Sequence, residues 1–153
     1  MAKKIIFLVL AIAFSAVVVL TSLGTGAAYA EAGGQVGRWV NEYLLASRLN
    51  AEETAALSSF GGKFVGHYLL FLATGLFTAL FLKEIKMKYA WRACVFVVYG
   101  LLLSSLGETI QLFTPGRFPT FGDVILNLTA FLTLPGIYAL WKRFYSQRLR
   151  ATE

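Results

Sequence analysis

Four stretches of this chain stay apolar for about the thickness of a membrane, and nothing else in the sequence limits its fold as strongly. A hydrocarbon core of about 30 Å takes roughly 20 residues of helix. Residues 5–24 carry no charge, and 64–82 have His67 as their one readily ionised side chain. Residues 93–113 are interrupted near their end by Glu108 and Gln111, and 124–141 carry Asn127 one turn in and Pro135 past the middle. Backbone N–H and C=O groups in hydrocarbon must be bonded within their own segment, so each stretch reads as a helix. Composition agrees: 58% of the residues are hydrophobic and 14% charged, against about 25% charged in average soluble domains. That excludes an ordinary soluble domain, a disordered regulator and a disulfide scaffold. The expected fold is all-α: a single polytopic membrane domain over 1–153, built as a four-transmembrane-helix bundle.

The Lys and Arg residues orient these spans. Lys3 and Lys4 precede the first, Lys83, Lys86, Lys88 and Arg92 lie between the second and third, and Lys142, Arg143, Arg148 and Arg150 follow the fourth. The other connections hold only Arg38, Arg48, Lys63 and Arg117. The positive-inside bias therefore predicts a multi-pass protein of the plasma membrane with both termini cytoplasmic, an outer loop over 25–63 and a cytoplasmic tail over 142–153. The net charge of +6 is explained by topology and by attraction to anionic lipid heads, and no signature of nucleic-acid binding accompanies it. A competing reading treats the N-terminal stretch as a secretory signal cleaved after Ala30, at Ala28-Tyr29-Ala30. Its apolar run exceeds the usual 7–15 residues or so of a signal core, which favours a retained span. Cys94 is the one cysteine and closes no internal disulfide.

The outer loop also carries helical signals. Val36, Val40, Tyr43 and Leu44 recur at helical spacing beside Trp39, as in a helix lying in the membrane interface. Asn50 followed by Glu53 has the spacing of a capping box, predicting a second short helix to about Ser59, ended by Gly61-Gly62. These helices read either as a lid packed on the bundle or as a cover over an outer pocket.

The unexpected residues all fall at one depth. Lys63 and His67 are four apart at the outer end of the second span, and Glu108 and Gln111 are three apart at the outer end of the third. Thr114-Pro115-Gly116-Arg117 reads as a tight turn with Gly at the position requiring positive φ. Asp123 and Asn127 are four apart where the fourth span starts. Ionisable groups in spans cost about 2.5–3.5 kcal/mol each on insertion scales and persist when paired or functional. Each has a local explanation: Thr120-x-x-Asp123 is a helix start, Arg117 neutralises a carboxylate, and Lys63 snorkels. Taken together, Lys63, His67, Glu108, Gln111, Arg117, Asp123 and Asn127 are the expected ligand-binding set, with His67, Glu108 and Asp123 as candidate catalytic groups.

These residues resemble those of a known family. Lys63-x-x-x-His67-x-x-x-Phe71 is similar to the first VanZ-like signature, and Glu108-x-x-Gln111-x-Phe113-x-Pro115-Gly116-Arg117 with Asp123-x-x-x-Asn127 to the second. Ser22 stands where a serine often follows the family's first helix. The resemblance spans about residues 5–141. It departs at Thr129-Ala130, where a Gly-rich pair commonly follows the Asn, so the close helix approach such a pair gives is not carried over. The family is named for a teicoplanin-resistance membrane protein, and most members have no established activity. The resemblance therefore implies a four-span bacterial cell-envelope protein without supplying a reaction.

Two main functions follow. In the first, the outer site binds or modulates the head group of an envelope lipid, a glycan or a lipid-linked precursor, with a consequence for glycopeptide resistance. Lys63 and Arg117 would grip phosphate or carboxylate, Arg in bidentate fashion. In the second, His67 beside Glu108 or Asp123 forms a base–carboxylate pair of an intramembrane hydrolase or transferase, with Arg117 stabilising a developing anion. A metal held by His67, Glu108 and Asp123 lacks ligand spacing and would be repelled by Arg117 and Lys63, so neither metal nor other cofactor is expected. An oligomeric channel or transporter is a third reading, disfavoured because the polar residues stop near one interface.

Overall fold

In the computed structural model, the apolar stretches become helices and the connections between them turns. The structure describes residues 2–25, 27, 31, 34–35, 38–44 and 48–151, with the side chains of 44, 58–66 and 146–151 outside that description. Helix α1 runs over Ala2–Ser22, α2 over Ala51–Lys63, α3 over Leu70–Lys83, α4 over Tyr89–Leu112 and α5 over Phe121–Ala151. Two π-helical turns, Val40–Leu44 and Phe64–Leu69, complete the described elements, and no strand occurs among the described residues.

Three of the helices are long and apolar enough to cross a membrane: Ala2–Ser22, Tyr89–Leu112 and Phe121–Tyr145. The fourth expected stretch contains a shorter apolar helix, His67–Lys83. That helix does not begin at a loop. The chain is helical from Ala51 to Lys83, with the π turn Phe64–Leu69 as the join. The expectation that Gly61-Gly62 ends the preceding helix is therefore corrected. Gly lowers helix propensity by about 1 kcal/mol, but the apolar run that follows is itself helical, so the backbone continues into it. The predicted start holds: Asn50 N–H donates to Glu53 Oε2 at 2.9 Å and Glu53 N–H to Asn50 Oδ1 at 2.9 Å, the reciprocal capping box. In the earlier part of the loop, Trp39 and Tyr43 face each other with ring centroids 6.0 Å apart, while Val36 lies outside the described residues.

Helix α1 packs on α3 and α4, α3 on α5, and α5 on α4, with α3 and α4 also touching across the middle. The core runs through Val18, Phe71, Leu103, Ala130 and Phe131. Helix α3 turns Phe71, Thr74, Gly75, Thr78 and Leu82 inward, the three-and-four spacing of one helical face. Its hydroxyl at Thr74 donates to the Leu70 carbonyl at 2.7 Å, as Ser104 does to Gly100 at 2.8 Å. Such i−4 bonds let small polar residues sit inside an apolar bundle.

The tightest contact lies where the family departure suggested looser packing. A Cβ on Gly75 would overlap the backbone carbonyl of Phe131, and one on Gly100 would fall 2.6 Å from the Phe131 ring. Ala130 and Phe131 are fully buried, and Phe96 stacks on Phe131 at 4.6 Å. The small residue that permits the close approach of α3 and α5 is on α3, not on α5. Helix α1 is built into this packing: Phe14 stacks on Phe77 at 5.3 Å, and Ser15 Oγ lies 2.7 Å from the Tyr99 hydroxyl.

At the opposite end from the polar residues, Arg92 closes the connection between α3 and α4. Its Nη2 donates to the carbonyls of Ile85 at 3.2 Å and Met87 at 3.1 Å.

Candidate functional site

Helix α1 ends, α4 ends and α5 begins at the same end of the bundle, and the polar residues of the sequence collect there. The π turn Phe64–Leu69 contributes His67, the last two turns of α4 contribute Glu108 and Gln111, and the second turn of α5 contributes Asn127. The loop between α4 and α5 holds this end together. Arg117 N–H donates to the Thr114 carbonyl at 3.2 Å, and Gly116 has φ 73°, so the tight turn has the conformation its sequence requires. Thr114 Oγ1 donates to the Ser22 carbonyl at 3.3 Å and to the Ile110 carbonyl at 3.1 Å, tying the end of α1 to the end of α4.

Glu108 is the centre. Only 6% of it is exposed, and Oε1 accepts from Asn127 Nδ2 at 3.1 Å and from Gln111 Nε2 at 3.3 Å. His67 Nδ1 lies 4.0 Å from the same oxygen. A carboxylate, two amides and an imidazole from three parts of the chain thus meet at one atom. Two hydrogen bonds and an imidazole at one buried oxygen make this a polar knot in an otherwise apolar bundle.

Asp123, Arg117 and Lys63 come from the start of α5, the turn before it and the end of α2. Asp123 Oδ2 accepts from Thr120 Oγ1 at 2.9 Å, and Asp123 N–H donates to that hydroxyl at 3.2 Å, so this pair caps the start of α5 as its spacing predicts. Arg117 is half-buried on the turn leading into α5. The backbone of Lys63 is the last residue of α2, while its side chain lies outside the described residues. The π turn that carries His67 begins directly after Lys63. Among the described residues, no three His, Cys, Asp or Glu side chains gather so as to hold a metal ion.

Two contributors escape a reading by polarity. Thr114 reads as the first residue of a turn, yet it is buried and bonded to Ser22. Gly107 reads as an ordinary span residue, yet a Cβ there would lie 3.2 Å from Ser22 Oγ. A glycine one residue before Glu108, opposite a buried serine, is a signal that marks this junction.

A family model described as VanZ/LLP1 matches residues 6–142. The chain belongs to the VanZ/LLP1 family. The match runs from α1 into α5 and includes every residue of the polar knot, so the knot lies in the family domain and not on an appended segment. No curated protein and no solved structure gives a significant match to the chain. This VanZ/LLP1 protein is all-helical, with apolar helices of the kind that make a multi-pass membrane protein.

Proposed function

We propose that this VanZ/LLP1 protein is a four-span plasma-membrane protein, with both termini cytoplasmic, that binds and modulates the head group of an envelope lipid or lipid-linked glycan at its outer face. The observation that carries this reading is Glu108, a carboxylate 6% exposed and surrounded by Asn127, Gln111 and His67. A polar knot at the end of an apolar bundle meets a membrane where lipid head groups meet lipid tails, and ionisable groups at such depth mark binding sites or relays. Four spans follow if the helical run from Phe64 to Lys83 crosses as a whole. Arg117, and Lys63 at the end of α2, would meet the phosphate or carboxylate of the head group. An effect on glycopeptide resistance would follow from altering what is displayed on the outer surface.

The test is to purify the protein from native membranes and identify co-eluting lipids by mass spectrometry. One lipid class should be enriched over the bulk membrane and depleted in Arg117→Ala and Glu108→Gln. Lipid content unchanged in both variants overturns the reading.

The distance of 4.0 Å between His67 Nδ1 and Glu108 Oε1 supports a second reading, an intramembrane hydrolase or transferase with this pair as base and orienting carboxylate. Turnover of a labelled lipid-linked substrate, lost in His67→Ala and Glu108→Gln, would select it. Absence of turnover across a broad lipid panel would reject it.

A further inference from the structure

The polar knot has an orientation that limits what its ligand brings. Asn127 is 1% exposed, and its side-chain oxygen and nitrogen are not interchangeable there. Glu108 as a carboxylate only accepts hydrogen bonds, so the Asn127 amide must turn Nδ2 toward it, as observed at 3.1 Å. Oδ1 then faces away from Glu108, buried and with no hydrogen-bond partner among the described residues. A buried acceptor without a donor is uncommon in folded proteins. Gln111 also turns its donor to Glu108, so the knot supplies its own donors to the carboxylate and leaves an amide acceptor over.

We infer that Asn127 Oδ1 receives a hydroxyl of the ligand, and that the head group is therefore a polyol: the glycerol of a phosphodiester lipid or the sugar of a glycolipid. The inference rests on the head-group reading above and narrows it. The acceptors Glu108 and Asn127 Oδ1 form the inner part of the site, and a phosphate placed there would be repelled by the carboxylate. The phosphate of a phosphodiester lipid belongs instead toward Arg117, on the turn that opens α5. An ammonium group would also donate, and the third kind of probe in the test below separates it from a hydroxyl. A hydroxyl satisfies Oδ1 without bringing a charge.

The test uses purified full-length protein in detergent micelles and native mass spectrometry, with four probes of matched acyl chains. Phosphatidylglycerol and a monoglucosyl diacylglycerol carry hydroxyls, phosphatidylmethanol keeps the phosphodiester without one, and phosphatidylethanolamine offers an ammonium. The wild type should retain one or both hydroxyl-bearing probes at least about tenfold better than phosphatidylmethanol, on the order of one well-made bond to a buried acceptor. Preference for phosphatidylglycerol alone identifies the phosphodiester source, and preference for the glucosyl lipid the glycolipid source. Asn127→Leu, close in volume but unable to accept, should bring the ratio to within about twofold. Equal retention of phosphatidylglycerol, the glucosyl lipid and phosphatidylmethanol by the wild type overturns the inference while leaving a head-group site standing. So does a preference for phosphatidylethanolamine, or a hydroxyl preference that persists in Asn127→Leu. If the wild type retains no probe above background, the head-group reading itself fails. Should Asn127→Leu not fold, Asn127→Ala removes the same acceptor with less apolar bulk, and the wild-type comparison alone still decides the chemistry.

Discussion

Glu108 and Gly75 carry opposite kinds of constraint. Glu108 is held by what bonds to it, so its replacement matters through the groups left behind. Glu108→Ala strands the buried Asn127 and Gln111 donors, and each unsatisfied buried group costs about 1–3 kcal/mol. Glu108→Gln keeps volume and one acceptor oxygen, so it should cost clearly less. Thermal unfolding in detergent, followed by circular dichroism, should rank wild type above Glu108→Gln above Glu108→Ala. Equal melting of the two variants would mean that the hydrogen bonds to Glu108 do not hold the helix ends together. Gly75 is held by what leaves no room for it to grow. A methyl group there meets the Phe131 backbone, which cannot rotate aside, whereas one on Gly136 meets nothing within 4 Å. Gly75→Ala should therefore destabilise by about 1–3 kcal/mol, the usual range for overpacking. Gly136→Ala should be neutral or stabilising by up to about 1 kcal/mol. The same melting measurement checks both, and similar effects at the two glycines would contradict the close approach of α3 to α5.

Among the elements, α1 is the one whose status the sequence leaves open, because a basic tip followed by an apolar run also describes a secretory signal. Its contacts with the other helices favour a retained span. Val18 belongs to the core, Phe14 stacks on Phe77, Ser15 meets Tyr99, and the Ser22 carbonyl accepts from Thr114. Protein purified through a C-terminal tag should therefore contain residues 5–24 by intact mass and peptide mapping. A mature chain starting at Glu31 would overturn this. Element identities were legible in the sequence because span length and capping pairs are local properties: Asn50 with Glu53 and Thr120 with Asp123 depend on three-residue spacing alone. The π turn at Phe64–Leu69 was not legible, because hydrophobic periodicity over six residues does not separate π from α winding. The closeness at Gly75 was not legible either. A helix glycine looks the same from its own sequence whether it faces lipid, as Gly136 is free to do, or the backbone of Phe131 on another helix.

At the scale of the molecule, the exposed apolar side chains along α1 and α4, such as Val9, Ile12, Leu101 and Leu102, are what a bundle surrounded by lipid presents. The polar knot sits at the end where the sequence holds few cations, and Arg92 sits at the end where it holds many. This charge division predicts orientation. In a Cys94→Ser background, Glu52→Cys should react with a membrane-impermeant maleimide in intact cells, and Lys86→Cys only after permeabilisation. The reverse pattern would place the polar knot on the cytoplasmic side and remove the outer-leaflet reading. The convergence of His67, Glu108, Gln111 and Asn127 was foreseeable because four polar residues at one depth in three spans have few places to go. The part Asp123 plays at the start of α5 was legible as well, since Thr120-x-x-Asp123 has the spacing of a helix start.

Arg92 works at two moments in the life of the chain. While the spans are being inserted, its charge counts with Lys83, Lys86 and Lys88 toward holding that connection on one side of the membrane. Once the helices have met, the same guanidinium bonds the carbonyls of Ile85 and Met87, in the connection beyond the end of α3. A lysine would serve the first moment equally well and the second poorly, since its side chain is one bond shorter than the one that carries Nη2 to both carbonyls. Arg92→Lys should accordingly insert in the normal orientation and yet loosen the turn afterwards, separating how the protein acquires its topology from how it keeps its shape.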